Sequence, residues 1–514
     1  MKTKLIRSFL VLTVLLVAVV PAALADNGTD TSALREAVTA GNIMDHLEAF
    51  QAIADANDGN RETTSDGYDA SVAYVAELME DAGYYVTIQS FEFFYSADAT
   101  IPVLERVQPS PITSWLDGNS NYPDGDFATM TYSGSGSFSN AAVIPVDLAL
   151  ADPDLSTSGC EPEDFDGLDF TGSNDIALIQ RGFCYFSDKA VNAENAGAEA
   201  VIVFNQGNAP DREDLFFGTL GGTVVTIPVL SASFAVGQDL AVEGSTANLS
   251  ADTINEIRES QNVIADTPGG RDDRVVVVGA HLDSAPEGPG INDNGSGSAM
   301  ILEVALQMAE LDIEPRNKVR FAWWGAEEYG LFGSEYYVTN LSAREFKKLA
   351  LNLNFDMIAS PNYVRFVYDG DGSATPLAGP NGSGNIEQVF LSYFAEQGLP
   401  VEPTAFDGRS DYGPFIDAGI PAGGLFTGAD GSKTAEEVDI YGGTEGIPYD
   451  SNYHTPDDDL SNIDETVLEQ MSDAAAHTIL TFAMTTSAVN GTDKGKGVGQ
   501  YKDGMEYAGS KLRK

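Results

Sequence analysis

Residues 275–284 read VVVVGAHLDS, a run of four valines that leads into a histidine and an aspartate. A continuous run of β-branched residues is typical of a strand buried on both faces, as in a parallel sheet. Two further apolar runs end in the same way, 319–328 (VRFAWWGAEE) and 349–357 (LALNLNFDM). Because open α/β sheets bind ligands at the carboxyl ends of their strands, these polar residues are expected to meet at one sheet edge.

Helical patterns alternate with these strands. Residues 298–311 are amphipathic, and a closing helix is predicted over 465–485. Two more helices are predicted at 31–56 and 67–83, and a strand follows over 84–94. The alternation predicts an α/β fold, a three-layer α/β/α sandwich with a mixed, mostly parallel central sheet.

A change in composition divides the chain of 514 residues into units. Residues 97–140 are rich in Pro, Gly, Ser and Asp and lack a strong period, which predicts an irregular boundary region. We assign 26–96 and 256–490 to one discontinuous domain, the main domain. Residues 97–255 form a small inserted domain, and the Gly-rich, basic segment 491–514 is expected to be a flexible tail.

Residues 1–25 have the features of a secretory signal peptide. A basic start precedes an apolar run at 9–20, which is too short to span a bilayer, and ALA at 23–25 is a small-residue cleavage site. The sequence therefore predicts a secreted or periplasmic protein without a membrane anchor. In such a compartment the two cysteines of the chain, Cys160 and Cys184, are expected to form a disulfide.

The chain is strongly acidic, with 78 Asp and Glu residues against 27 Lys and Arg and a net charge of −51. A negative field of this size repels polyanions, so nucleic acid and anionic membranes are not expected partners. Histidines number 4 and cysteines 2, so any metal site must rely mainly on carboxylates. This excludes a cysteine-rich zinc module.

Five residues of metal-ligating type fall after predicted strands or in neighbouring loops: His281, Asp293, Glu328, Asp356 and His454. Each has an ordinary alternative, since Asp293 could cap a helix and the histidines could be core residues. Converging carboxylates, however, repel one another unless a cation compensates them. Two divalent ions that share one carboxylate need about five protein ligands, which this set supplies.

Two carboxylates remain outside the ligand set. Adjacent residues project in different directions, so Glu327 and Glu328 are not both expected to be ligands. A spare carboxylate beside a metal suits a general base, and Glu327 is the candidate. Asp283 follows His281 by two residues and is placed to accept the other ring N–H of that histidine.

Taken in order, these motifs resemble the M28 family of secreted dizinc aminopeptidases. The resemblance covers residues 40–95 and 260–485. It rests on seven stretches: HLDS, INDNGSGSA, WWGAEEYGLFGS, NFDMI, GRSDYGPF, GGLFTG and YHTPDDDL. It implies an aminopeptidase with two zinc ions per chain that acts on peptide substrates.

The resemblance also implies a role for each candidate residue. One zinc ion would be held by His281 and Asp356 and the other by Glu328 and His454, with Asp293 bridging them. The remaining roles fall on residues of the substrate site. Glu327 would transfer the proton, and Tyr453 would stabilise the oxyanion. Met357 and Phe426 would form an apolar pocket together with Tyr453. The main chain near Arg409 would contact the substrate's amino group. Peptides that begin with Leu, Met or Phe are the expected substrates.

The inserted domain resembles a protease-associated (PA) domain in residues 176–184, IALIQRGFC, and in 189–203. Its implied roles are a lid, substrate restriction or protein contact. One departure concerns His454. Some secreted relatives carry a disulfide around this histidine, whereas Asn452 and Asp457 stand at those flanks here.

Three other functions share parts of this pattern. Glutamate-releasing carboxypeptidases also carry a PA domain, but they have an extra helical dimerisation domain and a basic substrate patch. Glutaminyl cyclases are acyltransferases that keep much of the ligand set and use one zinc ion. A non-catalytic binding protein is the third alternative, and the complete set of ligands and base argues against it.

Overall fold

The computed structural model describes residues 28–118, 125–223 and 225–491. The predicted signal peptide lies outside these residues, as does the predicted tail beyond its first residue. Within the described ranges, no helix is both long and apolar enough to cross a membrane.

The described residues form strands and helices in alternation. The strands are β1 (Tyr85–Gln108), β2 (Thr113–Ser114), β3 (Phe127–Thr129), β4 (Gly136–Val146), β5 (Asp175–Gln180), β6 (Ala200–Phe204), β7 (Val229–Ala232), β8 (Thr246–Asp266), β9 (Arg271–His281), β10 (Asn317–Trp324), β11 (Leu349–Phe355), β12 (Phe366–Tyr368), β13 (Glu402–Thr404) and β14 (Ala422–Phe426). The helices are α1 (Ser32–Ala37), α2 (Ala40–Ala56), α3 (Asp66–Asp81), α4 (Phe186–Ala196), α5 (Phe234–Leu240), α6 (Gly297–Glu310), α7 (Phe332–Thr339), α8 (Ala343–Phe346), α9 (Ser383–Gln397), α10 (Tyr412–Asp417), α11 (Ala435–Tyr441), α12 (Glu465–Met484) and α13 (Ser487–Asn490).

The main domain is built on a mixed, mostly parallel sheet in the order β13-β12-β14-β11-β9-β10-β8. Strands β14, β11, β9 and β10 run parallel, with β9 in the middle. The four valines of β9 alternate between two cores. Val276 and Val278 pack with α2, α6 and α12, while Val275 and Val277 pack with α7 and α10. The predicted three-layer α/β/α sandwich is therefore confirmed.

The N-terminal helical region differs in detail from the prediction. The segment predicted as one helix over 31–56 is two helices, because Val38 is extended and Thr39 caps α2 by accepting the N–H of Asn42. The helix predicted at 67–83 is α3, which Ser65 caps.

A long antiparallel ribbon of β1 and β8 joins the two domains. One end of β8 pairs with β10 of the main domain, and the other end pairs with β4 of the inserted domain. The expectation of an irregular region over 97–140 is wrong for much of its length, because β1 continues to Gln108 and β4 begins at Gly136. The predicted domain boundaries face each other in the ribbon, where Ser96 pairs with Asn255. Their placement stays a prediction.

The inserted domain continues the sheet with β4, β5, β6 and β7 in parallel and β3 at the edge. Its two apolar cores lie on the two faces of these strands, as the alternation of Ile176 and Ala177 between them shows. Cys160 and Cys184 form the predicted disulfide in this domain, with their Cα atoms 5.7 Å apart.

Candidate active site

Three neighbouring strands deliver four of the candidate residues to one edge of the sheet. His281 is the last residue of β9 and lies in register with Trp324, the last residue of β10. Glu327 and Glu328 lie in the turn after β10, and Asp356 directly follows β11. Because these strands are parallel and adjacent, their carboxyl ends bring the four side chains together.

Asp293 reaches the same place from the irregular helical turn Ile291–Ser296, which leads into α6. It does not serve as the ordinary helix cap. The side-chain oxygen of Asn294 instead accepts the N–H of Gly297, the first residue of α6, at 2.9 Å. The Asp293 carboxylate is thereby left to face the histidines.

The two carboxylate oxygens of Asp293 face two different histidines. Oδ1 lies 3.2 Å from Nε2 of His281, and Oδ2 lies 3.1 Å from Nε2 of His454. Each histidine has a second carboxylate beside it. Asp356 Oδ1 is 3.4 Å from Nε2 of His281, and Glu328 Oε2 is 2.9 Å from Nε2 of His454. The structure therefore brings all five candidate ligands together.

The chemistry of this cluster fits zinc. Two of its buried carboxylate oxygens, Glu328 Oε1 and Asp356 Oδ1, accept no hydrogen bond. Ligand atoms about 2.0–2.2 Å from one tetrahedral zinc ion lie roughly 3.3–3.6 Å from one another, close to the separations seen here. Imidazole nitrogens and carboxylate oxygens are both zinc ligands. A cation at this position would satisfy acceptors that the protein leaves unpaired.

The ionisable groups strongly perturb one another. Burial opposes charge on His281, but Asp356 and Glu327 outweigh it and raise the pKa of this histidine well above its usual value. Burial raises the pKa of Glu327 well above its ordinary range, although His281 opposes this shift. For Asp293, burial alone would raise the pKa, but the two histidines hold it well below its usual range. The site is thus a buried excess of carboxylates in which positive charge is stabilised.

Asp283 contacts His281 through a different atom from the one predicted. The main-chain carbonyl oxygen of Asp283 lies 3.0 Å from Nδ1 of His281, whereas its carboxylate Oδ1 is 3.8 Å away. This carboxylate is fully buried and instead accepts the main-chain N–H groups of Glu327 and Glu328, at 3.3 and 3.4 Å. It therefore holds the turn that carries both glutamates.

Asp458, which the sequence did not single out as a site residue, anchors the His454 loop. Its carboxylate accepts the main-chain N–H of Asn292 at 2.9 Å and that of Asp293 at 3.0 Å. Asn462 donates to Asp458 at 2.9 Å. This network ties the loop to the Asp293 segment. The sequence shows an acidic run here but does not indicate these hydrogen bonds, because they join segments far apart in the chain.

A cleft of about 220 Å³, the main cleft, opens onto this cluster. Three of the five candidate ligands line it, His281, Asp293 and Asp356. The candidate base and the predicted substrate residues line it as well, namely Glu327, Met357, Arg409, Phe426 and Tyr453. The ring of Tyr453 stacks on His454 at 3.8 Å, and its hydroxyl lies 3.5 Å from Nη2 of Arg409. Arg409 is paired with Asp430 at 3.0 Å.

Two side chains that support the cleft were missed from the sequence, Ser410 in its lining and Asn354 behind Ser410. The hydroxyl of Ser410 donates to Oδ2 of Asp356, and Asn354 donates to Ser410 at 2.7 Å. Ser410 lies in the GRSDYGPF stretch. Its role depends on a contact with a distant segment, so a single sequence offers no means of choosing it from other serines.

Comparison with known proteins agrees with this geometry. The profile of peptidase family M28 matches residues 262–479, and that of the PA domain matches residues 144–240. An aminopeptidase of Pseudomonas aeruginosa is 45% identical over 460 residues, which are 89% of this chain and 83% of the relative. Leucine aminopeptidase 2 of Trichophyton rubrum is 38% identical, over 88% of this chain and 85% of the relative.

Solved structures share the fold. An aminopeptidase from Aneurinibacillus sp. strain AM-1 has a TM-score of 0.67 at 24% identity, covering 88% of this chain and 95% of that chain. BSAP, a zinc aminopeptidase from Bacillus subtilis, has a TM-score of 0.58 at 25% identity, covering 90% of this chain and 98% of that chain. The identity to the relatives extends over both domains of the described chain. This chain therefore belongs to peptidase family M28 and carries a PA domain.

Proposed function

We propose that this protein is a zinc-dependent aminopeptidase that removes large apolar residues from the N termini of peptides. One observation carries the proposal. Asp293 lies between His281 and His454, within 3.2 Å of each, and the unassigned carboxylate of Glu327 lines the same cleft. The relatives named aminopeptidase and leucine aminopeptidase support the same activity.

In this proposal the protein holds two zinc ions. His281 and Asp356 would bind one, Glu328 and His454 the other, and Asp293 both. When bound, the zinc pair supplies Lewis acidity, which polarises a peptide carbonyl and makes water a competent nucleophile near neutral pH.

Glu327 is the proposed proton carrier. Its carboxylate is 5% exposed and is held in the cleft because Asp283 accepts its main-chain N–H. It takes the proton of the attacking water and then returns this proton to the departing amine. The hydroxyl of Tyr453, packed against His454, would donate to the oxyanion that forms on the carbonyl oxygen.

The lining of the main cleft favours an apolar N-terminal residue. Met357 and Phe426 supply an apolar wall, while the carboxylates of Glu327 and Asp356 can hold the free α-ammonium group. The arginine that lines the cleft, Arg409, is already paired with Asp430. A carboxypeptidase needs a cation for the substrate's terminal carboxylate, so this pairing favours the aminopeptidase.

We also propose that the protein acts outside the cytoplasm. The disulfide between Cys160 and Cys184 supports this location, because such bonds persist in oxidising compartments. A relative of 40% identity is named a probable lipoprotein aminopeptidase of Mycobacterium tuberculosis.

The proposal is tested by assaying the purified protein on leucine p-nitroanilide and measuring zinc in the same sample. We expect cleavage that is lost in chelator and restored by zinc. Cyclisation of an N-terminal glutamine without cleavage of leucine p-nitroanilide would indicate a glutaminyl cyclase instead. Release of C-terminal glutamate alone would indicate a carboxypeptidase.

A further inference from the structure

A second cavity, of about 330 Å³, lies between the PA domain and the metal-ligating residues. We call it the interdomain cleft. Glu328, His454 and the loop 285–287 line it from the main domain. Phe217 and Thr219 line it from the PA domain, so that neither domain alone encloses it.

The two clefts divide the candidate ligands between them. His281, Asp293 and Asp356 line the main cleft, whereas Glu328 and His454 line the interdomain cleft. The two cavities therefore meet at the metal cluster, where the peptide bond would be cut. If the main cleft holds the N-terminal side chain, the rest of a peptide has to leave the cluster on its other side, through the interdomain cleft.

The walls of the interdomain cleft are partly apolar and partly acidic. Phe217 is 41% exposed there, an apolar surface that a bound peptide would cover. Two carboxylates besides the ligand Glu328 line the cleft, Asp98 from the ribbon and Glu287 from the main domain. Among the described residues that line it, none is a lysine or an arginine.

We propose that the interdomain cleft is the binding site for substrate residues downstream of the cut bond, and that it favours a lysine or arginine there over an aspartate or glutamate. The inference deepens the proposed function and rests on it. An acidic cleft attracts a basic side chain and repels an acidic one, and its apolar wall covers the aliphatic stem of the basic residue. The PA domain thus takes part in substrate selection.

Three substrates with the same N-terminal leucine test the proposal on the full-length zinc enzyme. Leucinamide has no downstream residue, while Leu-Lys-Ala and Leu-Glu-Ala differ in the charge of theirs. We expect kcat/KM for Leu-Lys-Ala to exceed that for Leu-Glu-Ala by about tenfold at low salt, since each partly exposed charge pair contributes a few-fold. The preference should shrink towards unity in about 1 M salt, which screens such pairs.

Paired variants locate the preference in the cleft. Asp98→Asn combined with Glu287→Gln should reduce the preference to about threefold or less. Phe217→Ala should lower kcat/KM for both tripeptides by several-fold. Hydrolysis of leucinamide should be unchanged in each, which also shows that the variants fold. Glu163→Gln and Leu155→Ala, which alter exposed PA-domain residues outside the cleft, are the matched controls.

The outcomes separate the two proposals. A wild-type enzyme that cleaves leucinamide but treats the two tripeptides alike at low salt overturns the downstream site and leaves the aminopeptidase intact. A charge preference that survives the Asp98/Glu287 double variant overturns it as well. An enzyme that cleaves none of the three substrates contradicts the proposed function itself.

Discussion

In both the main domain and the PA domain, polar residues follow the ends of parallel strands. The two domains differ in whether these residues find hydrogen-bond partners within the protein. In the PA domain, Arg181 and Asn205 follow β5 and β6, and they bond to each other at 3.3 Å. Asn205 also donates to the carbonyl of Asp214 at 2.7 Å. In the main domain, Oδ1 of Asp356 and Oε1 of Glu328 are buried and accept no hydrogen bond. Polar residues at a strand end therefore indicate a functional site when their buried oxygen atoms accept no hydrogen bond from the protein.

The largest effect is expected from removal of the carboxylate shared by both histidines. Asp293→Ala should cost both zinc ions and lower kcat/KM for leucine p-nitroanilide by about a thousandfold or more, because metal polarisation is worth several kcal/mol. The matched change at the PA strand end, Asn205→Ala, should leave zinc content and activity near wild type. Equal losses in the two variants would contradict the contrast between the domains.

The adjacent glutamates should separate base from ligand. Glu327→Gln removes the proton acceptor but keeps its size, so kcat should fall by ~10²–10⁴-fold while zinc content stays near wild type. Glu328→Gln should weaken zinc binding, and excess zinc should partly restore its activity. Zinc content and turnover are measured together for both variants. If instead Glu327→Gln loses zinc and Glu328→Gln keeps it, Glu328 is the base and Glu327 is the ligand.

A smaller effect is expected from the hydrogen bonds behind the site. The two carboxylate oxygens of Asp458 accept the main-chain N–H groups of Asn292 and Asp293, and Asp458→Asn replaces one of these acceptors with an amide group that can only donate. Changes of this kind typically cost 10–100-fold in metal affinity, which competition with a chelator measures. The neighbouring exposed carboxylate supplies the control, and Asp457→Asn should bind zinc as wild type does. Equal affinities for the two variants would show that the network does not support the site.

The smallest effect on catalysis is expected from the disulfide of the PA domain. Replacing both Cys160 and Cys184 with alanine should lower the free energy of unfolding by roughly 3 kcal/mol, since the bond closes a loop in the unfolded chain. Zinc content and the hydrolysis of leucinamide should not change. Thermal unfolding measures the loss of stability, and metal analysis measures the zinc content. A loss of zinc would show that the disulfide supports the metal site, contrary to this prediction.

The sequence predicted the sandwich and the members of the metal cluster because buried β-branched strands that end in His, Asp or Glu are a strong signal. The β1–β8 ribbon was not predicted. In the second half of β1, Leu104 and Arg106 are buried whereas Ile101 and Val103 are exposed, so the apolar residues of the sequence do not mark the buried face. Its pairing with β8 defines it instead. Pairings between distant segments have no local signature.

The supporting contacts of the site were also beyond the sequence. Asp283 was predicted to orient His281 through its carboxylate, but the main-chain carbonyl takes this role. Asp458 and Ser410 act through hydrogen bonds to segments far away in the chain. Residue type and spacing indicate which side chains can bind a metal, whereas the choice of supporting atom depends on the folded backbone.

We propose that five side chains, with Asp293 between the two histidines, hold a zinc pair that serves one aminopeptidase site. The most direct measurement is the zinc content of purified, active protein, read together with its cleavage of leucine p-nitroanilide as zinc is withdrawn by chelator and returned. We predict two zinc ions per chain, and activity that disappears and returns with them. Full activity in protein that contains one zinc ion or none would contradict it.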